Sequence, residues 1–229
     1  MTIPLPSANY AVRFGVDAQT DARNRLTSAF RVFVAIPILI VLGTISGESL
    51  AANGRRGSAA AAGGVVVLAP VLMILFRQKY PRWWFDWNVA LLRFTNRVAA
   101  YMLLLRDEYP STDAEQAVHL EIDYPDVQND LNRWLPIVKW LLAIPHYIVL
   151  FFLSIATFFV VVFAWFAILF TGRYPPGAYD FVVGVMRWYN RVAGYAFVLA
   201  TDRYPPFTIK FLPSIPSSSE ATVLGIARQ

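Results

Sequence analysis

"RYPPGAYDFVVGVMRWYNRVAGYAFVLATDRYP", residues 173–205, has a near relative earlier in the same chain: "KYPRWWFDWNVALLRFTNRVAAYMLLLRDEYP", residues 79–110. An ungapped offset of 94 lays Tyr80-Pro81 on Tyr174-Pro175, Asp86 on Asp180 and Arg93 on Arg187. The same offset lays Asn96-Arg97-Val98-Ala99 on Asn190-Arg191-Val192-Ala193. Upstream, "NRLTSAFRVFVAIP" (24–37) matches "NRWLPIVKWLLAIP" (132–145) at an offset of 108. Val12, Phe14, Val16 and Asp17 match Val118, Leu120, Ile122 and Asp123 at 106. Two matching ends around a variable middle read as a tandem duplication, residues 8–110 and 115–207, followed by a tail, 208–229. The surplus in the first unit falls in the polar, small-residue stretch "SGESLAANGRRGSAAAAGG" (46–64).

Composition assigns the broad class. Of 229 residues, 57% are hydrophobic and only 15% charged, whereas soluble domains are roughly a quarter charged; mean hydropathy is +0.47. The few charges are unevenly placed. From 134 to 171 only Lys139 and His146 can carry one, and from 32 to 76 only Glu48, Arg55 and Arg56. About 20 apolar residues cross a bilayer as a helix, so the chain reads as an α-helical integral membrane protein. The N-terminus lacks a basic stretch followed by an apolar run, so no cleavable signal peptide is expected. Cysteine is absent, which excludes disulfides, thiolate nucleophiles, iron–sulfur clusters and cysteine zinc sites.

Each unit has the same order of parts. An alternating segment, "YAVRFGVD" (10–17) or "AVHLEID" (117–123), has the period of a strand. An apolar region containing Ile-Pro follows, then Tyr-Pro, then one of the two related segments, closed by a second Tyr-Pro. Prolines mark helix boundaries, because the residue before proline avoids the helical region. The first unit should hold transmembrane helices at 27–45 and 59–76. In the second, the apolar run of 134–171 would be about 57 Å long as one helix, against a hydrocarbon core of about 30 Å. A break near residues 154–157 is therefore expected, giving helices at 134–153 and 155–171; a single long tilted helix is the alternative.

Basic residues orient the hairpins. They cluster at 13–31, 77–133 and 173–228, with 4, 7 and 6 of the 20, against 2 in the Arg55-Arg56 loop. The positive-inside rule puts the rich clusters, and both termini, on the cytoplasmic side of a bacterial inner membrane.

The related segments are nearly as apolar as membrane spans, yet carry a polar stripe. Positions i, i+7 and i+11 of a helix fall within about 40° of one another, and Asp86, Arg93 and Arg97 have that spacing, as do Asp180, Arg187 and Arg191. An arginine at mid-bilayer costs about 2.5–3.5 kcal/mol on insertion scales. Amphipathic helices lying in the interface, at about 84–105 and 178–200, avoid that cost, and are preferred to spanning ones. Their stripes would face water, and Trp83, Trp84, Trp87, Trp188 and Tyr189 the aromatic belt. Short strands at 11–16, 118–123 and 207–211 would form a small cytoplasmic β-sheet over the stripes. Arg93, Arg97, Arg187 and Arg191 are the candidates for lipid headgroup or anion contact. Asp86, Asn96, Asp180 and Asn190 are the candidates for polar pairing between the repeats.

Nothing in the sequence has the pattern of a catalytic or metal centre. His146 lies on an apolar face, with Ile38 at the matching place in the first unit. His119, beside Glu121, reads as a surface pair. "GRRG" (54–57) is a loop, and no phosphate-binding loop, zinc-protease motif or nucleophile elbow occurs. Asp107-Glu108 and Asp202, at helix ends beside Tyr-Pro, read as caps or tethers for the following strand. Within the expected spans the polar residues are Arg31, Thr44, Lys139, His146, Ser154 and Thr157. Arg31 and Lys139 occupy matching places and should snorkel to the cytoplasmic surface. The rest are too few to line a substrate channel.

"NRVAGYAFVLATDRYPPFTI" (190–209), with "AIPHYIV" (143–149) upstream, resembles a bacterial membrane family, domain of unknown function 4389, with "TDRYPPF" (201–207) its most specific part. In the first unit "RDEYPST" (106–112) lacks the second proline and the phenylalanine. The resemblance implies a membrane protein without assigned chemistry and supplies no catalytic residue. The expected function is non-enzymatic: an accessory or scaffold subunit of a larger membrane assembly, with no cofactor and no metal. The alternative is a lipid- or anion-binding, transport-related protein using the arginine stripes. A net charge of +5 suits anionic lipid at the cytoplasmic face; other membrane subunits are expected as partners, and nucleic acid is not.

Overall fold

The computed structural model describes residues 10–19, 22–45, 69–112, 114 and 116–210. The loop 46–64 with Arg55 and Arg56, the first part of the helix expected at 59–76, residue 211 and the tail beyond it lie outside the described residues.

The alternating segments become strands. β1 (Val12–Val16) and β2 (Val118–Ile122) pair antiparallel, with Val12 opposite Ile122, Phe14 opposite Leu120 and Val16 opposite Val118. One face is apolar and buried: Val12, Phe14, Val118 and Leu120. On the other, Arg13 holds Glu121 at 3.0 Å and Asp123 at 2.6 Å. The backbone amide of Asp17 donates to Ala117 and that of Asp123 to Ala11. These bonds make the odd positions of β1 the hydrogen-bonded pairs, so Phe14 and Leu120 face each other in a non-bonded pair with their carbonyls turned outward. A two-stranded sheet has two such open edges, and their carbonyls need donors.

The third strand expected at 207–211 does not join the sheet. The edge of β1 that it would pair with is occupied by the guanidinium of Arg187, whose Nε donates to Phe14 O at 3.2 Å and whose NH1 donates to Ile209 O at 2.9 Å. A side chain thus stands where a ladder would have formed.

The apolar regions are helical with breaks at each Ile-Pro. In the first half they are α1 (Arg25–Ala29), α2 (Arg31–Val34) and α3 (Ile36–Ile45), and, further on, a π-helical turn, Met73–Arg77. α4 (Arg82–Met102) follows Pro81. In the second half α5 (Leu135–Leu142) and α6 (Ile144–Thr171) form one run, and α7 (Pro176–Ala196) follows Pro175. The break expected near 154–157 is absent. No glycine or proline lies between His146 and Thr171, and Ser154 Oγ donates back to Phe151 O at 2.7 Å within an unbroken ladder. The chain is interrupted instead at Ala143, because Pro145 has no N–H for the carbonyl of Leu141. α6, at 28 residues, is about 42 Å long. Among the described residues, Leu135–Thr171 is the one helical run long and apolar enough to cross a membrane.

α7 is the centre of the molecule. One side packs on β1, where a Cβ on Gly194 would lie 2.4 Å from Val12 Cγ2, so only glycine allows this approach. Its other side carries Trp188, Val192 and Tyr195 onto Leu150 and Tyr147 of α6. α6 and α7 run antiparallel, since Trp140 Nε1 donates to Ala196 O and His146 meets Trp188, while Val160 and Val161 pack against the cluster that holds Val182 and Val183. The buried residues of α6, His146, Leu150, Thr157, Ala164 and Ile168, repeat at helical spacing on one face. The other face exposes Phe151, Phe152, Phe158, Phe159, Phe163, Phe166 and Phe170.

The two halves also exchange ends. Arg133, before α5, donates from Nε to Leu75 O at 2.5 Å and from NH2 to Phe76 O at 3.4 Å, at the close of the first apolar region. Reciprocally, the amide of Arg23, before α1, donates to Gly172 O at 2.9 Å, at the close of the second.

Candidate functional site

The polar groups of the interior form two similar clamps and one crossing. Asn24 caps α1, its Oδ1 accepting from the amides of Leu26 and Thr27. Its own amide donates to Asp107 Oδ2 at 3.1 Å. Arg31, 3% exposed, donates to Tyr101 O and Arg106 O, each at 2.8 Å, and pairs with Asp107. Its guanidinium lies 4.5 Å from the centre of the Tyr101 ring. Arg23 completes the group, 3.9 Å from Asp107 and bonded to Leu105 O at 2.8 Å.

The second clamp repeats the arrangement at the matching residues. Asn132 Oδ1 accepts from Trp134 N at 3.0 Å, and Asn132 N donates to Asp202 Oδ2 at 2.5 Å. Lys139, with no exposed surface, lies 2.8 Å from Asp202, bonds Thr201 O at 2.7 Å and stands 5.1 Å from the Tyr195 ring centre. In both halves the chain reaches its aspartate through a leucine with left-handed backbone, Leu104 at φ 63° and Leu199 at φ 58°. Two expectations are corrected here. Arg31 and Lys139 do not snorkel; each is buried against a carboxylate, as an interior cation must be. Asp107 and Asp202 do not tether the next strand; they hold the starts of the apolar helices. The signal was present in the sequence, as Asn, a cation seven residues on, and Asp near Tyr-Pro in both units.

Between the clamps, α4 and α7 meet at an amide pair. Asn96 Nδ2 donates to Asn190 Oδ1 and Asn190 Nδ2 to Asn96 Oδ1, both at 2.7 Å. Each also donates back along its own helix, to Leu92 O and Met186 O at 2.8 Å. Both side chains are buried. Asp86 and Asp180 do not take part: Asp86 lies 3.9 Å from Arg82 on its own helix, and Asp180 is exposed.

The four stripe arginines bind backbone. Arg93 Nε donates to Leu120 O at 2.9 Å, and Arg97 NH1 to Ser111 O at 2.9 Å. Arg187 holds Phe14 O and Ile209 O; Arg191 donates to Thr208 O at 3.0 Å and Lys210 O at 2.8 Å. Together they cover the outer edges of the sheet and the segment after Tyr-Pro. Arg187 and Arg191 are 7% and 2% exposed, so the α7 stripe faces protein and not water. Burial, and the charge of Arg191 beside it, bring Arg187 down to about 10, which still leaves it protonated at neutral pH.

The histidines also have defined partners. His119 pairs with Asp17 at 3.1 Å and not with Glu121, because the strand register turns Glu121 toward Arg13. His146 Nδ1 accepts from Trp188 Nε1 at 3.1 Å, which assigns the ring proton to Nε2. Its ring stacks on Phe207 with centres 4.1 Å apart and leans on Tyr204 at 4.7 Å. In the first half the matching Ile38 lies in an apolar cluster with Phe94, Val98 and Tyr101. A cleft of about 540 Å³ opens beside the second clamp, between Tyr10, Asp123, Tyr124, Asp130 and Arg203. Two of the carboxylates that line it, Asp123 and Asp202, are held by Arg13 and Lys139. Among the described residues no three His, Asp or Glu side chains are placed to hold a metal ion.

Residues 135–208 match the family described as Domain of unknown function (DUF4389). The matched segment contains α5, α6, α7, the Lys139–Asp202 pair of the second clamp and the His146–Trp188–Phe207 group. No curated protein and no solved structure matches the chain.

Proposed function

We propose that this protein is a non-enzymatic, membrane-bound accessory or scaffold subunit of a larger assembly in the bacterial cytoplasmic membrane, built by tandem duplication of one unit. One observation carries the reading: the division between a polar interior whose cations are committed to backbone and carboxylates, and an outer face of exposed phenylalanines along α6. Exposed apolar surface of this length marks a membrane or protein contact. The polar groups serve to fix α1–α3 and α5–α6 to the α4–α7 layer, which is the work of a scaffold. The matching clamps, the two left-handed leucines and the Asn96–Asn190 crossing are what a duplicated unit would leave. A lipid- or anion-handling role for the arginines is weaker, because Arg187 and Arg191 are covered and donate to carbonyls.

Purification from membranes in mild detergent, followed by identification of co-eluting proteins, tests this. A constant set of membrane proteins at fixed stoichiometry is the expected result. Elution as a lone chain with turnover of any membrane substrate would refute it.

A further inference from the structure

We infer that the 37-residue run Leu135–Thr171 lies in the plane of the membrane, its phenylalanine face sunk in an anionic lipid surface, and does not cross it. The inference rests on the membrane reading above and adds how the chain sits. Its basis is what runs beside α6. α7 follows the run from Ala196, bonded to Trp140, to its own start after Gly172, and the polar layer follows α7 along that whole length. At the start of the run stand Asp202 and Asn132. At the level of Arg187 stands β1, with Arg13 and its carboxylates, Glu121 and Asp123, whose side chains are 54% and 55% exposed. At the far end, Tyr179 donates to Val16 O, His119 pairs with Asp17, and Arg23 N bonds Gly172 O.

A crossing helix would carry this layer through the hydrocarbon with it, and exposed carboxylates are among the groups the hydrocarbon tolerates least. Lying flat, α6 presents only Phe151, Phe159, Phe166 and their neighbours to acyl chains, and the sheet remains in water on the other side of α7. Both ends of the run then touch one layer on one side, as Arg133 at Leu75 and Gly172 at Arg23 require. Exposed Arg25, Arg77, Lys79 and Arg173 stand at the ends of the apolar helices, where anionic headgroups would meet them. That charge, and the length of the apolar face, commit the occupant to lipid.

Nitroxide labels on single cysteines test the orientation, because the chain has no cysteine of its own. The full-length Phe151→Cys, Phe159→Cys and Phe166→Cys variants would be labelled and bound to phosphatidylglycerol–phosphatidylcholine vesicles. Depth is read from relaxation by oxygen against a water-soluble nickel chelate. Val162→Cys and Phe170→Cys, also exposed, replace any variant that misfolds. The three labels should report one common depth below the phosphates. Phe151 and Phe166 are about 22 Å apart along a helix axis, so a spread approaching that distance overturns the inference while leaving the membrane reading intact. Strong spin–spin broadening would make the face a contact between two copies and overturn it too. Failure to float with vesicles removes the membrane reading itself.

Discussion

Arg93 and Arg187, from two different helices, hold the same rung of the sheet: one donates to Leu120 O, the other to Phe14 O, and Leu120 faces Phe14. Each guanidinium closes one of the two open edges of a sheet that has only two strands. Such a sheet is marginal by itself, so its order depends on both.

Arg93→Ala and Arg187→Ala should therefore not be independent. Either change leaves a carbonyl without its donor, at a cost of about 1–3 kcal/mol. Once one edge is open the rung loosens, and the second loss acts on a structure already changed. Thermal unfolding of the two singles and the double in lipid nanodiscs should give a coupling of at least about 0.5 kcal/mol. Strict additivity would mean that the edges act separately.

The clamps should respond differently to single and paired changes. Asp202→Ala strands Lys139 as a buried, unpaired cation, which costs about 3–5 kcal/mol. Replacing both groups, as Lys139→Met with Asp202→Leu, removes the uncompensated charge and should recover most of that loss. Denaturant unfolding of the single and paired variants checks this. A pair as damaging as the single would show that the carboxylate's bond to Asn132 N, and not the ion pair, holds the helix start.

Buried tyrosines make the protein sensitive to alkali. Tyr174 and Tyr179 are pushed up to about 12 from an ordinary 10, chiefly by burial. A value raised by folding means that the neutral hydroxyl is favoured in the folded state. Their contribution is complete below about pH 10 and is lost as pH rises toward about 12. In Tyr174→Phe with Tyr179→Phe, the fall of melting temperature between pH 10 and 12 should be shallower than in the unmodified chain. An unchanged slope would place the alkaline sensitivity elsewhere.

Much of this was readable in the residues, for reasons that can be named. The period of two in "YAVRFGVD" and "AVHLEID" gave both strands, because alternation leaves little choice of face. The spacing of Asp86, Arg93 and Arg97 gave a helix with one polar stripe. The environment of the stripe is not written in that spacing, because whether an arginine faces water or a carbonyl depends on what packs over it. Matching places point to Asn96 and Asn190 as a pair between α4 and α7, where their amides do meet, and equally to Asp86 and Asp180, which stay on the surface. A carboxylate near Arg82 and water has no reason to be buried. In the apolar run of 134–171, length and local chemistry point in opposite directions. Bilayer thickness argued for a break near 154–157, while the local chemistry, free of glycine and proline after Pro145, had nothing to make one. Arg31 with Asp107, and Lys139 with Asp202, could have been found from their recurrence. They were separated by a sequence distance that helical reasoning does not span.

The exchanged ends carry a consequence for assembly. Each half finishes its apolar region against the start of the other: Leu75 and Phe76 against Arg133, Gly172 against Arg23. Turns within each half serve some of the last carbonyls, Gln78 N at Ile74 O and Gly172 N at Ile168 O, but those of Leu75, Phe76 and Gly172 take a donor from the other half. A polypeptide made of one unit would present an acceptor at one end and a donor at the other, and would recover both contacts by clasping a second unit. The covalent link between the halves thus turns what would be a concentration-dependent encounter into a permanent one, and ties the order of each half to the folding of its neighbour.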